Sequence, residues 1–192
     1  MNRIELINIL ISKYGYQSYL EIGVASKGTY NNVNIGDKTG VDPNTDTCDY
    51  KMTSDAFFAR NRRKFDIIFI DGLHLWEQTI RDAHNSLEVL NPNGTIVLHD
   101  CLPTEENHQL RKSLYEFGNW TGDVWKAVMQ LRMNPDLQVC VIDTDWGCGI
   151  VRFGHQQPIS VPVEIGWDFF VANKHLMNII TVDQFLASLF QH

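Results

Sequence analysis

Long hydrophobic runs are missing from this sequence, and this absence excludes one large class of protein. No apolar segment approaches the roughly 20 residues that a membrane-spanning helix needs. The first residues also lack the small-residue cleavage site that follows the apolar part of a secretory signal. We therefore expect a protein that has no membrane partner and stays in the cytoplasm.

The sequence is also poor in cysteine pairs and in basic tracts. Cys48, Cys101, Cys140 and Cys148 form no C-x-x-C pair, and their spacing suits neither a zinc knuckle nor a disulfide framework, so we expect reduced thiols. The 16 basic and 23 acidic residues give a net charge of −7, and the longest basic cluster is residues 60–64. An acidic chain is not attracted to a polyanion, which disfavours a nucleic-acid partner.

Apolar periodicity divides the 192 residues into alternating strands and helices. This alternation predicts one α/β domain over residues 1–192, a doubly wound, Rossmann-like seven-stranded sheet with helices on both faces. The sheet is expected to be mostly parallel and to end in an antiparallel C-terminal hairpin strand. The predicted segments are an N-terminal helix within 1–15, strands at 18–24, 38–41, 50–53, 65–71, 95–98, 139–142 and 150–153, a lid or acceptor loop at 102–122, and a C-terminal extension at 155–192.

The ends of the first two predicted strands carry residues that suit a cofactor site. Glu21 and Gly23 lie in the end of the first strand and Gly28 lies beyond it, and Asp42 follows the second strand at a separation typical of a carboxylate that binds ribose hydroxyls. The spacing alone fits either a nicotinamide cofactor or S-adenosylmethionine. There is no G-x-G-x-x-G turn for a diphosphate, however, and Glu21 would repel one. Both details favour the cationic S-adenosylmethionine.

Residues 20–29 resemble the first signature of class I methyltransferases, except that Ala25 stands where a central glycine is usual. The resemblance implies that Glu21 and Gly23 line the methionine portion of S-adenosylmethionine and that Asp42 binds its ribose. It also implies that Ser54 and Asp55 contact the adenine, and Gly28 belongs to the same cofactor-binding set. Plain turn chemistry for the glycines and a helix cap for Ser54 are the structural alternatives.

A second group of ligand-type side chains follows two later strands. Asp71 and His74 come after one predicted strand, and His99 and Asp100 come after the next. Neighbouring parallel strands would bring all four to one edge of the sheet, where they could form a metal site with a general base. A strand-ending turn and a hydrogen-bonded histidine are the structural alternatives.

The D-G-x-H step and the strand ending in His99-Asp100 resemble metal-dependent sugar and antibiotic O-methyltransferases and the cephalosporin hydroxylase-like group, over about residues 17–101. The resemblance implies that Asp71, His99 and Asp100 hold magnesium and that His74 is the catalytic base, with Asp71 also in the catalytic set. An imidazole suits manganese or iron better than magnesium, so the metal could be any of the three.

Residues beyond the second group are candidates for the acceptor site. Trp120 could stack on a sugar ring and Asp123 could bind its hydroxyls, although Thr121 or Asp123 could instead cap a helix. The sequence thus predicts S-adenosylmethionine-dependent O-methylation of a small hydroxylated molecule, such as a sugar or glycan unit. An NAD-dependent oxidoreductase and a non-catalytic cofactor-binding module are the alternatives. The sequence leaves a homo-oligomer open.

Overall fold

A seven-stranded sheet forms the centre of the computed structural model, which describes residues 1–114 and 119–190. The strand order is β2-β1-β3-β4-β6-β5-β7, and β6 is antiparallel to both of its neighbours while every other pair is parallel. The strands are β1 (Ser18–Ile22), β2 (Asp37–Val41), β3 (Phe65–Ile70), β4 (Leu90–Leu98), β5 (Leu137–Ile142), β6 (Cys148–Phe153) and β7 (Ile179–Ile180). This arrangement confirms the predicted mostly parallel sheet with an antiparallel hairpin strand.

Two details of the predicted sheet are wrong. Residues 50–53 form no strand, because Tyr50 makes only a single parallel bridge with Val41. The seventh strand is instead β7, which pairs with β5 at the edge of the sheet farthest from β2. In addition, β4 begins at Leu90, five residues before the predicted start at Thr95. Residues 91–94 bulge out between the pairing of Leu90 with Phe65 and that of Thr95 with Ile67.

Seven α-helices in the described residues surround the sheet. They are α1 (Arg3–Tyr14), α2 (Gly28–Asn32), α3 (Ser54–Arg60), α4 (Trp76–Val89), α5 (Trp125–Arg132), α6 (Trp167–Asn173) and α7 (Val182–Ser188). The capping box of Asn2 and Glu5 starts α1, and Gly15 ends it in the left-handed conformation (φ 66°). Across residues 1–114 and 119–190, no helix is both long and apolar enough to cross a membrane.

Alternating side chains of the strands build two hydrophobic cores, one on each face of the sheet. On β3, Ile68 and Ile70 pack in the core that also contains Trp125 of α5. Ile67 and Phe69 pack in the other core, which contains apolar residues of α1 and α7. Because helices cover both faces, β3 is apolar along almost its whole length, as expected for a buried parallel strand.

The register of the parallel strands sets the position of the candidate site. Ile22 of β1 pairs with Ile70 of β3, and Ile70 in turn pairs with Leu98 of β4. The residues that follow these strands therefore leave the sheet at the same level. In open α/β sheets, ligands bind at this carboxyl edge.

Candidate functional site

A cavity of about 1030 Å³ opens at the carboxyl edge of β1 to β4. Its lining includes every predicted site residue except Asp123. These residues are Glu21, Gly23, Gly28, Asp42, Ser54, Asp55, Asp71, His74, His99, Asp100 and Trp120. The volume is at the upper end of the usual range for small-molecule sites, so it has room for a cofactor and a second small molecule.

Glu21 lies deep in this cavity, with 1% of its surface exposed. The hydroxyl of Tyr19, two residues earlier on the same face of β1, donates a hydrogen bond to its Oε2. Burial raises the pKa of Glu21 to about 7, although the Tyr19 hydrogen bond and the charge of Lys38 act in the opposite direction. A buried carboxyl whose pKa stays raised favours a cationic ligand, which would stabilise its ionised form.

The loop after β1 passes very close to the loop after β3. A Cβ on Gly23 (φ 90°) would lie 2.1 Å from the backbone oxygen of Asp71, so only glycine fits here. Ala25, which replaces the usual central glycine, also has a left-handed conformation, with φ 43°. The loop therefore keeps the glycine-type backbone at this position at a cost in strain.

Asp42 connects this loop to the turn after β2. Its Oδ2 accepts the backbone N–H of Ala25 at 2.9 Å, and its Oδ1 accepts those of Asn44 and Thr45 at 2.7 and 3.2 Å. These bonds fix the carboxylate at the cavity surface. A carboxylate has about four lone-pair sites, so after these three bonds about one site remains for a ribose hydroxyl.

Ser54 and Asp55 lie in the first turn of α3, where Thr53 is the N-cap. They face Gln78 and Asp82 of α4, which also line the cavity and which the sequence analysis missed. The Nε2 of Gln78 is 3.0 Å from Asp82 Oδ1 and 3.2 Å from Ser54 Oγ. One sequence signal could have found Gln78 and Asp82. They are four residues apart on the helix that follows the D-G-x-H step, and this spacing places both on one face of the first turns of α4.

Asp71, His74 and Asp100 form a compact cluster whose candidate ligand atoms all lie within 4.8 Å of one another. The Nε2 of His74 is 3.4 Å from Asp71 Oδ1 and 3.3 Å from Asp100 Oδ2. Burial opposes ionisation of Asp71, yet the hydrogen bonds from His74 and His99 hold its pKa well below the usual range. Burial also lowers the pKa of His74, but the hydrogen bond to Asp71 and the charge of Asp100 outweigh it and raise that pKa overall.

The cluster differs from the predicted one in its histidine. His99 lies beside it, with Nδ1 3.1 Å from Asp100 Oδ1, but its Nε2 is 2.5 Å from Nη1 of Arg3. Burial lowers the pKa of His99, but its three neighbouring carboxylates outweigh burial and raise that pKa overall. The Nη1 of Arg3, by contrast, can donate to Nε2 only when the ring proton is on Nδ1. The candidate metal-ligand group among the described residues thus contains His74 where the sequence predicted His99, and the groups around the Nε2 of His99 include Arg3 and Asp145.

Arg3 and Asp145 are further cavity residues that the sequence analysis missed. The backbone N–H of Arg3 donates to Asp145 Oδ2 at 2.7 Å, which joins the start of α1 to the tip of the β5–β6 hairpin. The two residues are 142 positions apart, so no local sequence pattern could have indicated the contact.

Of the two predicted acceptor residues, Trp120 lines the cavity and Asp123 does not. The ring of Trp120 stacks on that of His74, with centroids 4.6 Å apart, and Trp120 lines the cavity. Asp123 is buried outside the cavity lining, where its Oδ1 accepts the backbone N–H of Trp76 at 2.9 Å and its Oδ2 pairs with Arg111. This geometry favours the alternative in which Asp123 caps a helix, although the capped helix is α4 and not the helix that follows Asp123. Residues 115–118 of the predicted lid at 102–122 lie outside the described residues.

Comparisons with known proteins agree with this geometry. Residues 21–101 match a family model described as "Methyltransferase domain". No curated protein sequence matches the chain significantly.

Solved structures of methyltransferases have the same fold. A putative caffeoyl-CoA O-methyltransferase from Staphylococcus aureus is 18% identical, with a TM-score of 0.62 over 79% of this chain and 82% of that one. An O-methyltransferase from Bacillus cereus in complex with S-adenosylhomocysteine is 12% identical, with a TM-score of 0.59 over 79% and 80% of the two chains. The S-adenosylhomocysteine-bound PaMTH1 of Podospora anserina is also 12% identical, with a TM-score of 0.57 over 79% and 78%.

Proposed function

We propose that the chain is a class I methyltransferase, supported by its fold and by the domain match of residues 21–101, and that it methylates a hydroxyl oxygen of a small acceptor such as a sugar. One observation carries the proposal. The Asp71–His74–Asp100 cluster lines the same cavity as Glu21 and Asp42, so an acceptor hydroxyl beside the cluster would face the methyl group of the cofactor. The O-methyltransferases among the similar structures support transfer to oxygen.

The charge of the cavity supports S-adenosylmethionine as the donor. The lining residues in the described part of the chain include one arginine, Arg3, and seven carboxylates, namely Glu21, Asp42, Asp55, Asp71, Asp82, Asp100 and Asp145. A sulfonium and an ammonium are attracted to such a surface, whereas the diphosphate of NAD is repelled. We assign the methionine portion to Glu21 and Gly23 and the ribose to Asp42. The alternative of an NAD-dependent oxidoreductase is disfavoured on the same ground.

The cluster also fits a divalent metal ion. Two carboxylates and one imidazole form a donor set that suits manganese or iron, and the buried Nδ1 of His74 has no hydrogen-bond partner within residues 1–114 and 119–190. We propose Asp71, His74 and Asp100 as the ligands. A metal bound there would supply a Lewis acid that lowers the pKa of the acceptor hydroxyl.

The residues of the chain orient the acceptor and take up its proton. The ionised Asp71 and Asp100 only accept hydrogen bonds, so they would orient the hydroxyl with a lone pair toward the methyl carbon. In the transfer, the new O–CH₃ bond forms as the S–CH₃ bond breaks, leaving neutral S-adenosylhomocysteine, a methyl ether and the hydroxyl proton. Where no metal occupies the cluster, a neutral His74 can accept that proton as base. An imidazole that ligates a metal has no free lone pair for this step, and the proton would then pass to solvent. Trp120, stacked on His74, would exclude water from this position.

The experiment is a methyl-transfer assay on a panel of sugars, sugar nucleotides, phenols and amines, with formation of S-adenosylhomocysteine as the readout. The assay is run with EDTA, Mg²⁺, Mn²⁺ or Fe²⁺. We expect turnover of at least one hydroxylated acceptor that is stimulated by Mn²⁺ or Fe²⁺ and lost in Asp100→Asn. Turnover of amines alone would contradict transfer to oxygen, and full activity in EDTA would contradict the metal.

The cellular location and the domain count are two further proposals. Cys48, Cys101, Cys140 and Cys148 are all free thiols, as a reducing compartment allows, so we keep the cytoplasm as the predicted location. A single domain over residues 1–192 also stays a prediction.

A further inference from the structure

A second cavity opens beside the cofactor cavity, and the transfer reaction described above makes no use of it. Its volume is about 1000 Å³, which is the size of a complete small-molecule site. Asp145 and Trp146, at the tip of the β5–β6 hairpin, line both cavities. The two cavities are therefore neighbours that share one wall.

The shared wall lies close to the Asp71–His74–Asp100 cluster. Asp145 Oδ1 is 3.7 Å from the Nε2 of His99, and the Nδ1 of the same ring is 3.1 Å from Asp100 Oδ1. A single imidazole ring thus lies between the hairpin tip and one of the carboxylates assigned to the acceptor hydroxyl. An acceptor longer than one sugar ring would extend from the cluster toward the second cavity.

The hairpin tip has a strained backbone. Asp145 (φ 46°) and Trp146 (φ 64°) are both left-handed, and the N–H of Gly147 donates to the carbonyl oxygen of Thr144 at 2.8 Å. Turns of this kind normally carry Asn-Gly at the two central positions, because a bulky residue with positive φ is strained. Such strain is typical of functional sites. The indole ring of Trp146 is the part that an Asn-Gly turn would lack, so it is the candidate functional group.

Two indole rings give the second cavity flat apolar surfaces. The ring of Trp146 meets the ring of His108 at 90°, with centroids 5.2 Å apart. The ring of Trp167 stacks on that of Phe170, also with centroids 5.2 Å apart, and both residues belong to α6. These contacts hold both indole rings in place before a ligand binds.

The rim of the same cavity is polar. Asp143, Lys174 and His175 line it with exposed side chains that supply both acceptors and donors of hydrogen bonds. A sugar ring matches this combination, because its C–H face is apolar and its hydroxyls both donate and accept. A flat aromatic unit would use the indole rings but not the polar rim.

We propose that the second cavity binds a neighbouring glycosyl unit of the acceptor, which stacks on Trp146 and Trp167 while the methylated unit lies at the cluster. The acceptor is accordingly a glycan or glycoside of at least two sugar units rather than a free monosaccharide. The inference depends on the proposed function, because it takes methyl transfer to a sugar hydroxyl as its starting point.

The test compares acceptors that share one sugar and differ in what is attached to it. Glucose, galactose, mannose and rhamnose are each supplied as the methyl glycoside, as the nitrophenyl glycoside and as the non-reducing end of a disaccharide. Formation of S-adenosylhomocysteine at saturating S-adenosylmethionine, with Mn²⁺ present, gives kcat and KM for each acceptor.

The assay uses the full chain as wild type and as three variants. Trp167→Leu removes an indole ring that lines only the second cavity. Trp146→Asn removes the ring at the hairpin tip and keeps a residue type that tolerates the left-handed turn. Trp76→Leu is the matched control, because Trp76 is the first residue of α4 and is in neither cavity lining. Thermal unfolding and circular dichroism check that each variant is folded.

We expect the wild type to use the disaccharide of at least one sugar with a kcat/KM about 10-fold or more above that of its methyl glycoside, through a lower KM. Trp167→Leu and Trp146→Asn should each reduce this preference to below about 3-fold by raising the KM for the disaccharide. Trp167→Leu should also leave the kcat/KM of the methyl glycoside and the Kd of S-adenosylhomocysteine within about 2-fold of wild type. Trp76→Leu should keep the wild-type preference.

Equal kcat/KM for the disaccharide and the methyl glycoside of every accepted sugar would overturn the inference. A preference that persists in Trp167→Leu and Trp146→Asn would do the same, and if one of these variants is poorly folded the other decides. A nitrophenyl glycoside used better than the disaccharide would identify an aromatic unit as the occupant and also contradict the glycosyl unit.

The proposed function fails in a different way. S-adenosylhomocysteine binding without turnover of any sugar would contradict the sugar acceptor and, with it, this inference. Absence of S-adenosylhomocysteine binding would contradict the methyltransferase itself.

Discussion

A Cβ on Gly23 would lie 2.1 Å from the backbone oxygen of Asp71. The loop assigned to the methionine portion of the cofactor is therefore in direct contact with the first residue of the acidic cluster. This contact depends on the register of β1 and β3, which end at paired residues, Ile22 and Ile70. A change in the loop after β1 must consequently be transmitted to the cluster.

Gly23→Ala and Ala25→Gly test the loop from opposite directions. Gly23→Ala forces the backbone of Asp71 to move, so we expect poor folding or loss of S-adenosylhomocysteine binding. Ala25→Gly relieves a left-handed backbone (φ 43°) and should stabilise the chain. The gain is up to about 1 kcal/mol after the backbone entropy of glycine is deducted. Chemical denaturation measures the free energy of unfolding of both variants, and calorimetric titration measures their binding of S-adenosylhomocysteine. A stable, binding-competent Gly23→Ala would contradict the close contact.

We expect Glu21→Gln to weaken cofactor binding and to raise the free energy of unfolding. The folded chain favours the protonated carboxyl, so the stability of the wild type falls as the pH rises from 4.5 to about 7 and stays low above it. Glutamine does not ionise, so the variant should be more stable at pH 8, by up to about 3 kcal/mol, and equal to the wild type near pH 4. Its affinity for S-adenosylhomocysteine should fall about 10-fold or more through loss of a charged acceptor.

Melting temperatures of both proteins between pH 4 and pH 8 measure this difference. A constant difference over that range would contradict the raised pKa of Glu21.

Asp123→Ala distinguishes a structural from a substrate-binding role. The carboxylate caps the start of α4 through Trp76 and pairs with Arg111 and Lys126. We expect a loss of about 1 to 3 kcal/mol of unfolding free energy, with Asp123→Asn intermediate because it keeps the bond to Trp76. The KM for the acceptor should stay within about 2-fold. A raised KM with unchanged stability would restore the substrate role.

The pH profile of activity should report His74. Although burial lowers its pKa, Asp71 and Asp100 raise it above 6.5, so the base becomes available only as the pH rises through that raised value. We expect kcat/KM to increase with pH on the alkaline side of 6.5 and the limb to disappear in His74→Gln. In Asp100→Asn, for which we expect no turnover, the NMR titration of the His74 ring should move to lower pH because the charge of Asp100 is removed. A profile that is flat from pH 6 to 9 in the wild type would argue against His74 as base.

The sequence predicted the elements whose side-chain pattern is local. The buried run of β3, the N-terminal helix α1 and the strand-end positions of Asp71 and Asp100 all follow from local apolar patterns and turn residues. The short run at residues 50–53 has the same local pattern, yet it makes only one bridge. Whether such a run pairs with a neighbouring strand depends on tertiary contacts, which local propensity does not encode.

The roles of the two histidines and the residues that complete the cavity could not be predicted in the same way. Arg3 and Asp145 both contact the His99 ring, and both lie far from it in the sequence. Likewise, Asp82 becomes a cavity residue only because α3 and α4 pack together. Local patterns thus predict which residues end the strands but not which of their side chains point at each other.

The most direct test of the central claim is a calorimetric titration of the wild-type chain with S-adenosylhomocysteine at pH 7, in two buffers of different ionisation enthalpy. The account predicts one molecule bound per chain and the release of a fraction of a proton, because the ligand ammonium lowers the pKa of Glu21 from about 7. Glu21→Gln should bind more weakly and release no proton from this site. Absence of binding by the folded wild type, with and without Mn²⁺, would contradict the assignment of the cavity to S-adenosylmethionine.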